Sequence, residues 1–190
     1  VGVQKMVNAK AAGVMFTLNP VTGESNQIVI EANWGIGESV VSGSVTPDNY
    51  IVDKKSLRIL EKKIAKKTVE YIRDPKTGET THADVPRERQ EKPCLTDKEI
   101  VKLAELAKHI EEHYGRPQDI EFAIDRDLSF PENSFIVQSR PETVWSLVTK
   151  PPEIGAPKPP TPPLQPAERK VAVKGIAAGK RDIGAGIAKV

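Results

Sequence analysis

Half of the chain's prolines fall in one short stretch, and that stretch divides what can fold from what cannot. Between Lys150 and Pro166 stand eight of the 16 prolines, at positions 151, 152, 157, 159, 160, 162, 163 and 166. Proline fixes φ and removes a backbone donor, so such a run is neither helix nor central strand; it is an extended, semi-rigid spacer. The spacer, residues 150–168, separates a body of residues 1–149 from a tail, 169–190, too short to build a core of its own. The chain starts at Val1 and stops at Val190 in strand-like patterns, so we expect a piece cut from a longer protein.

The body carries enough apolar residues for a real core. Hydrophobic residues make up 38% of the chain and charged residues 28%, the balance of a globular protein. Basic and acidic side chains nearly cancel, at 28 against 26, so there is no reason to expect a nucleic-acid or membrane partner. The one dense basic run, Lys54 to Lys67, has Leu57, Ile59, Leu60 and Ile64 between its lysines, which fits a surface strand or hairpin with a solvated face. Cys94 is the only cysteine, so no intrachain disulfide can form. No apolar stretch approaches the ~18 residues of a membrane span. A cytoplasmic location is expected.

Two apolar, partly β-branched segments, Ala12 to Leu18 and Gln27 to Asn33, are predicted strands joined by the turn Asn19-Pro20-Val21-Thr22-Gly23. Residues 48–74 alternate and predict further strands, closed by a turn at Asp74 to Gly78. From Thr96 to Tyr114 the pattern turns helical. Thr96 and Glu99 form a capping box, Ile100, Leu103, Ala107, Ile110 and Tyr114 share one face, and Gly115 stops the helix. Strands with one long helix and no regular βαβ alternation give an α+β fold, with a mixed or antiparallel sheet and flanking helices.

The last two predicted strands carry the chemistry. In Asp119 to Asp125 the even positions are Ile, Phe and Ile, which leaves the carboxylates of Asp119 and Glu121 on the other face. In Phe135 to Arg140, Gln138 and Arg140 share a face. If the two strands pair across the loop near residue 130, Glu121 comes opposite Gln138. A carboxylate and an amide oxygen suit Mg²⁺, and a guanidinium suits a phosphate. The same pattern also describes an exposed sheet face with solvated strand ends, and both readings stand at this point.

Several segments resemble one family. They are Val3 to Val7, Gly13 to Thr17, Glu31-Ala32-Asn33-Trp34-Gly35-Ile36-Gly37-Glu38, His113 to Glu121 and Ile136 to Thr143. In this order they resemble the dikinases that include phosphoenolpyruvate synthase and pyruvate phosphate dikinase. The Trp-Gly-x-Gly-Glu and Tyr-Gly-Arg-Pro segments point toward the synthase branch. The resemblance implies the later half of an ATP-grasp domain, with ATP as substrate and Mg²⁺ as cofactor. It implies that Glu121 and Gln138 hold the metal, that Arg140 contacts phosphate as the catalytic residue, and that Asp119 stands beside them. Gln4, Lys5, Met6 and Val7 would be the strand bordering the adenine, and Glu31 with the Gly35/Gly37 loop would line the same cleft. The tail would open the swivelling phosphohistidine domain. Pyruvate or phosphoenolpyruvate would be met by domains outside this chain, in a full-length enzyme that a homo-oligomer would fit, and the piece alone would be inactive.

Other readings stand beside this one. A related phosphohistidine relay can serve another acceptor, such as a phenol or an antibiotic hydroxyl, and a non-catalytic nucleotide-binding module would share the body. His109-Ile110-Glu111-Glu112-His113 matches the H-x-x-E-H pattern of one class of zinc peptidases, but no third ligand is evident and solvated helix surface accounts for it better. The pair Gly35 and Gly37 lacks the third glycine of a dinucleotide loop and reads equally as a structural turn.

Overall fold

A computed structural model describes residue 4 and residues 6–74, 76–143 and 145. The proline run and the tail expected after it lie outside the described residues. Among the described residues, six strands build one sheet in the order β4-β3-β2-β1-β7-β8. Strand β1 is Ala9–Phe16, β2 Gln27–Trp34, β3 Asp48–Asp53, β4 Ile59–Lys63, β7 Gln118–Asp125 and β8 Ser134–Pro141. Every pairing in it is antiparallel, which settles the choice the sequence left open. Strands β5 (Val69–Arg73) and β6 (Thr80–Asp84) form a separate two-stranded ribbon around the turn at Asp74 to Gly78.

The sheet is centred on β1, which pairs with β2 next to it in sequence and with β7 from far along the chain. At the end of β1 the Thr17 hydroxyl accepts from the Gln118 backbone N–H at 2.9 Å, across 101 residues. The β1–β2 turn is built by Asn19. Its side-chain oxygen accepts from the N–H groups of Val21 and Thr22, and its amide donates to Gln27 at 2.7 Å. The basic run becomes β4, an exposed edge strand whose lysines disfavour edge-to-edge pairing. Lys67 departs from that reading. It is fully buried and paired to Asp48, which is equally buried.

Helix α2 (Asp97–Tyr114) covers one face of the sheet. Its capping box is formed: the Thr96 hydroxyl accepts from the Glu99 N–H, and the Glu99 carboxylate accepts from the Thr96 N–H at 2.8 Å. Gly115 takes φ +64°, a conformation that ends a helix cheaply only at glycine. Ile100, Leu103, Ala104 and Ala107 are buried against Met15, Ile30, Tyr50, Ile120 and Ile124. Tyr114 is exposed, contrary to the predicted stripe, because the helix ends just there and the stripe runs through Ala104 instead. A short helix α1 (Glu38–Val41) follows the glycine-rich segment. Trp34 is core, its indole N–H donating to the Arg89 carbonyl at 3.3 Å with the Arg89 guanidinium over its ring.

One buried carboxylate ties these parts together. Glu99 accepts hydrogen bonds from Lys10 on β1 at 2.8 Å, from Asn133 before β8 at 2.9 Å, and from the backbone and hydroxyl of Thr96. Burial alone would raise its pKa, but these donors and the Lys10 charge outweigh it and hold the carboxyl below the ordinary range. A folded-state pKa below the unfolded value gives stability that is present above about pH 4.3 and is lost as pH falls through the folded value. We therefore expect Glu99→Ala to cost on the order of 3 kcal/mol at neutral pH, since it leaves buried donors unpaired. In urea titrations, the advantage of the native chain over Glu99→Gln should shrink steadily below about pH 4.3; a constant gap down to the acid limit would refute the assignment.

Candidate functional site

Alternation decides which side chains face away from α2. Ile120, Phe122 and Ile124 enter the core, so Asp119, Glu121 and Ala123 project from the other face of β7. The strand registers then align a row across the sheet. Glu121 lies opposite Gln138 on β8 and opposite Val14 on β1; Val14 faces Glu31 on β2, and Glu31 faces Asn49 on β3. The neighbouring row places Phe16, Asp119 and Arg140 side by side.

Both rows hold their geometry by specific contacts. The Arg140 guanidinium donates from Nε and Nη2 to Asp119 Oδ2, each at 2.8 Å, which fixes the plane of the fork. More than half of the Arg140 side chain remains exposed, so its other N–H donors can reach a ligand. Glu31 accepts from the Asn49 amide at 3.2 Å. Between Glu121 and Phe122 the register slips, because Gln138 and Ile136 are their partners and Val137 is the extra residue. That bulge takes Val137 out of the ladder, and its carbonyl accepts from the Gln4 side-chain amide at 3.1 Å.

Next to Glu121 and Val137 opens a pocket of about 500 Å³. Small residues of the sheet, Ala12, Gly13 and Ala123, leave the space, and Met6 and Val7 line it from the N-terminal segment. Ile36, Gly37, Glu38 and Val41 complete it from the loop and helix α1. The lining is largely apolar with carboxylates at Glu121 and Glu38, the make-up of a site that holds an apolar group and orients it by a few polar ones. Gly13 is essential to the floor. A Cβ there would come within 1.9 Å of the Glu31 carbonyl oxygen on β2.

The positions expected from sequence distribute as follows. Glu121, Gln138, Asp119 and Arg140 converge on one face of two paired strands. Gln4, Met6 and Val7 line the pocket, while Lys5 lies outside the described residues. At its described positions, Gln4, Met6 and Val7, the expected strand takes no ladder partner; pairing begins at Asn8, whose carbonyl accepts from the Arg126 N–H at 2.8 Å. A side-chain hydrogen bond holds the segment instead. Glu31 shares the face of Glu121 with Val14 between them, and it does not line the pocket. The two glycines part company. Gly37 lines the pocket, whereas Gly35, at φ +75°, passes so close to Tyr71 that a Cβ would sit 2.1 Å from its carbonyl oxygen. Glu38 escaped the sequence reading of the site; an acidic residue opening a helix after Gly-x-Gly was the available signal. His109 and His113 are both exposed on the outer side of α2.

Residues 1–156 match the family model described as the pyruvate phosphate dikinase AMP/ATP-binding domain. The chain belongs to that family. It is 47% identical over its whole length to a probable phosphoenolpyruvate synthase of Staphylothermus marinus, covering 25% of that protein. It is 53% identical over 74% of its length to the phosphoenolpyruvate synthase of Pyrococcus furiosus, covering 18% of that protein. With a probable phosphoenolpyruvate synthase of Methanocaldococcus jannaschii it shares 43% identity over 99% of its length and covers 15% of it. The chain thus spans a quarter or less of the curated relatives it matches.

In this dikinase domain the aligned row depends on the β1–β2 approach at Gly13. Gly13→Ala must push the two strands apart or break the pairing, and we expect a loss of at least about 2 kcal/mol with disturbed strand register. Thermal unfolding and amide exchange at Met15 and Ile30 would measure it, and an unchanged melting temperature would show that the floor tolerates a side chain.

Proposed function

We propose that this chain is the later part of the ATP-grasp nucleotide site of a phosphoenolpyruvate synthase. The parent enzyme would convert ATP, pyruvate and water into AMP, phosphoenolpyruvate and phosphate through a phosphohistidine relay. The observation that carries this reading is the in-register pair Glu121 and Gln138, next to the Asp119–Arg140 pair on the same strands, with Glu121 lining an apolar pocket.

The roles follow from the donor chemistry. Glu121 and Gln138 would hold Mg²⁺ through hard oxygens, and the ion would supply positive charge beside the phosphates. Arg140, aimed by Asp119, donates to a phosphate. The purine would lie in the pocket against Met6, Val7 and Ile36, with Gln4 on its border. Glu31 contributes charge from the adjoining strands. Pyruvate is met by parts of the parent outside this chain, and the relatives' names favour it over a phenol or an antibiotic hydroxyl as acceptor. The single buried thiol of Cys94 fits a reducing cytoplasm. No helix among the described residues is long and apolar enough to cross a membrane.

The test uses the full-length parent. Glu121→Ala and Arg140→Ala should each lower ATP-dependent phosphorylation of the enzyme by about 10²–10³, the usual cost of one stabilising donor. Phosphoenolpyruvate should still phosphorylate both variants, since that half-reaction bypasses the ATP site. The fold should survive, because both side chains sit on an open sheet face. Wild-type ATP-dependent phosphorylation in both variants would overturn the proposal.

A further inference from the structure

Strand β8 changes face part-way along its length. Ile136 stands opposite Phe122 and packs on the core. Side chains alternate along a strand, and residues directly opposite each other share a face. An uninterrupted β8 would therefore carry Gln138 and Arg140 to the helix-covered face with Ile136, and would set Val137 opposite Glu121. Instead Gln138 stands opposite Glu121, Ser139 opposite Ile120 and Arg140 opposite Asp119. One extra residue, Val137, makes the difference. The expected pair of Glu121 and Gln138 is reached through a bulge, and bulges beside binding sites are a common means of re-aiming a side chain.

Both flanks of the bulge are pinned. Before it, the Asp125 N–H donates to the Asn133 carbonyl at 2.7 Å. After it, the Ser139 hydroxyl donates to Gln118 Oε1 at 3.0 Å, and the Glu142 N–H donates to the Pro117 carbonyl at 2.9 Å. At the bulge itself the contact comes from the other end of the chain. The Gln4 side-chain amide donates to the Val137 carbonyl at 3.1 Å, across 133 residues. Gln4, Val137 and Glu121 all line the same pocket, together with Met6 and Val7. This one hydrogen bond joins the segment that borders the pocket to the strand that carries Gln138.

We propose that Gln4 is a positioning residue: by holding the Val137 carbonyl it keeps the bulge in the form that presents Gln138 to Glu121. What the pair then binds rests on the nucleotide-site reading above, whereas the positioning is a property of the strand pair itself. A neutral hydrogen bond of this kind shifts an equilibrium by roughly three- to tenfold. Gln4 is exposed, so its loss should loosen the presentation of Gln138 without unfolding the sheet.

The experiment uses the full-length parent with Gln4→Met, which keeps the length of the side chain and removes its N–H donors. Gln138→Ala and the double variant complete a cycle. Two quantities are read: amide hydrogen exchange along β8 in the metal-free enzyme, and the Mg²⁺ concentration that half-saturates ATP-dependent phosphorylation. Gln4→Met should speed exchange at residues 136–140 by roughly three- to tenfold and leave β2 and β3 unchanged. The Mg²⁺ requirement should rise by a similar factor. In the Gln138→Ala background that rise should disappear, because the side chain that Gln4 positions is gone. Unchanged exchange in β8 overturns the proposal, as does an equal Mg²⁺ shift with and without Gln138. Glu121→Ala separates this failure from that of the nucleotide site. If Glu121→Ala takes phosphate from ATP at the wild-type rate, the nucleotide site is misread; if it is dead while Gln4→Met is wild type in both readings, only the positioning by Gln4 fails.

Discussion

Glu99 is the contact on which the arrangement of the site depends. It sits in the first turn of α2, yet its donors come from three other places: Lys10 on the central strand, Thr96 at the helix cap, and Asn133 at the mouth of β8. Asn133 in turn closes the loop, its carbonyl accepting from the Asp125 N–H at 2.7 Å at the far end of β7. A buried carboxylate is costly unless every lone pair finds a donor. Here the cost is met only when helix, β1 and the β7–β8 hairpin occupy one relative position. The hairpin that carries Glu121 and Gln138 is therefore fixed from the opposite side of the sheet, by a residue that touches none of the site.

A second polar cluster does the same for the other half of the sheet. Asp48 opens β3 and is fully buried; one oxygen accepts from Lys67 and the Ala65 N–H, the other from the Tyr50 hydroxyl and the Cys94 N–H. Burial, with Asp48 close by, pushes both the Tyr50 hydroxyl and the Cys94 thiol upward, so both stay neutral and the only charges in the cluster are the Asp48–Lys67 pair. A thiol held protonated in this way is a poor nucleophile, and its place is structural. The two clusters lie on the helix-covered side or at its margin. Among the described residues, the open face of the sheet carries the Asp119–Arg140 pair and, on the edge strand β4, the Glu61–Lys63 pair.

Much of this was legible because it is local or periodic. The capping box at Thr96 and Glu99 is a four-residue pattern with a single geometric outcome, and it formed as read. The alternation in residues 119–125 and 134–140, with a short loop between, set the register that puts Glu121 opposite Gln138. What escaped depends on long-range contacts. Lys67 looked like one more lysine in a solvated run, because nothing local announces that Asp48 waits for it. Tyr114 obeyed the helical period and still faces solvent, since a helix in its last turn no longer overlies the sheet. The described residues of the expected strand at Gln4 to Val7 take no ladder partner, and the bulge at Val137, in a run such as Phe-Ile-Val-Gln, has no sequence mark.

The charge on the open face constrains the chemistry further. Glu31, Asp119 and Glu121 project from it, with Glu38 at the pocket, against the Arg140 guanidinium that Asp119 already partly neutralises and, out on β4, the Lys63 ammonium paired with Glu61. A face so balanced repels a polyphosphate. At 4 Å, two like charges at an effective dielectric of about 20 oppose each other by about 4 kcal/mol. Under the proposed nucleotide reading, a triphosphate would need a cation between it and the carboxylates. Glu121 has the neutral oxygen of Gln138 directly across the strand, so under the proposed nucleotide reading it is the carboxylate that would share a divalent ion. Asp119 is committed to Arg140 and serves to aim it. On that proposed reading, the same three carboxylates that would exclude a bare nucleotide would favour its magnesium complex.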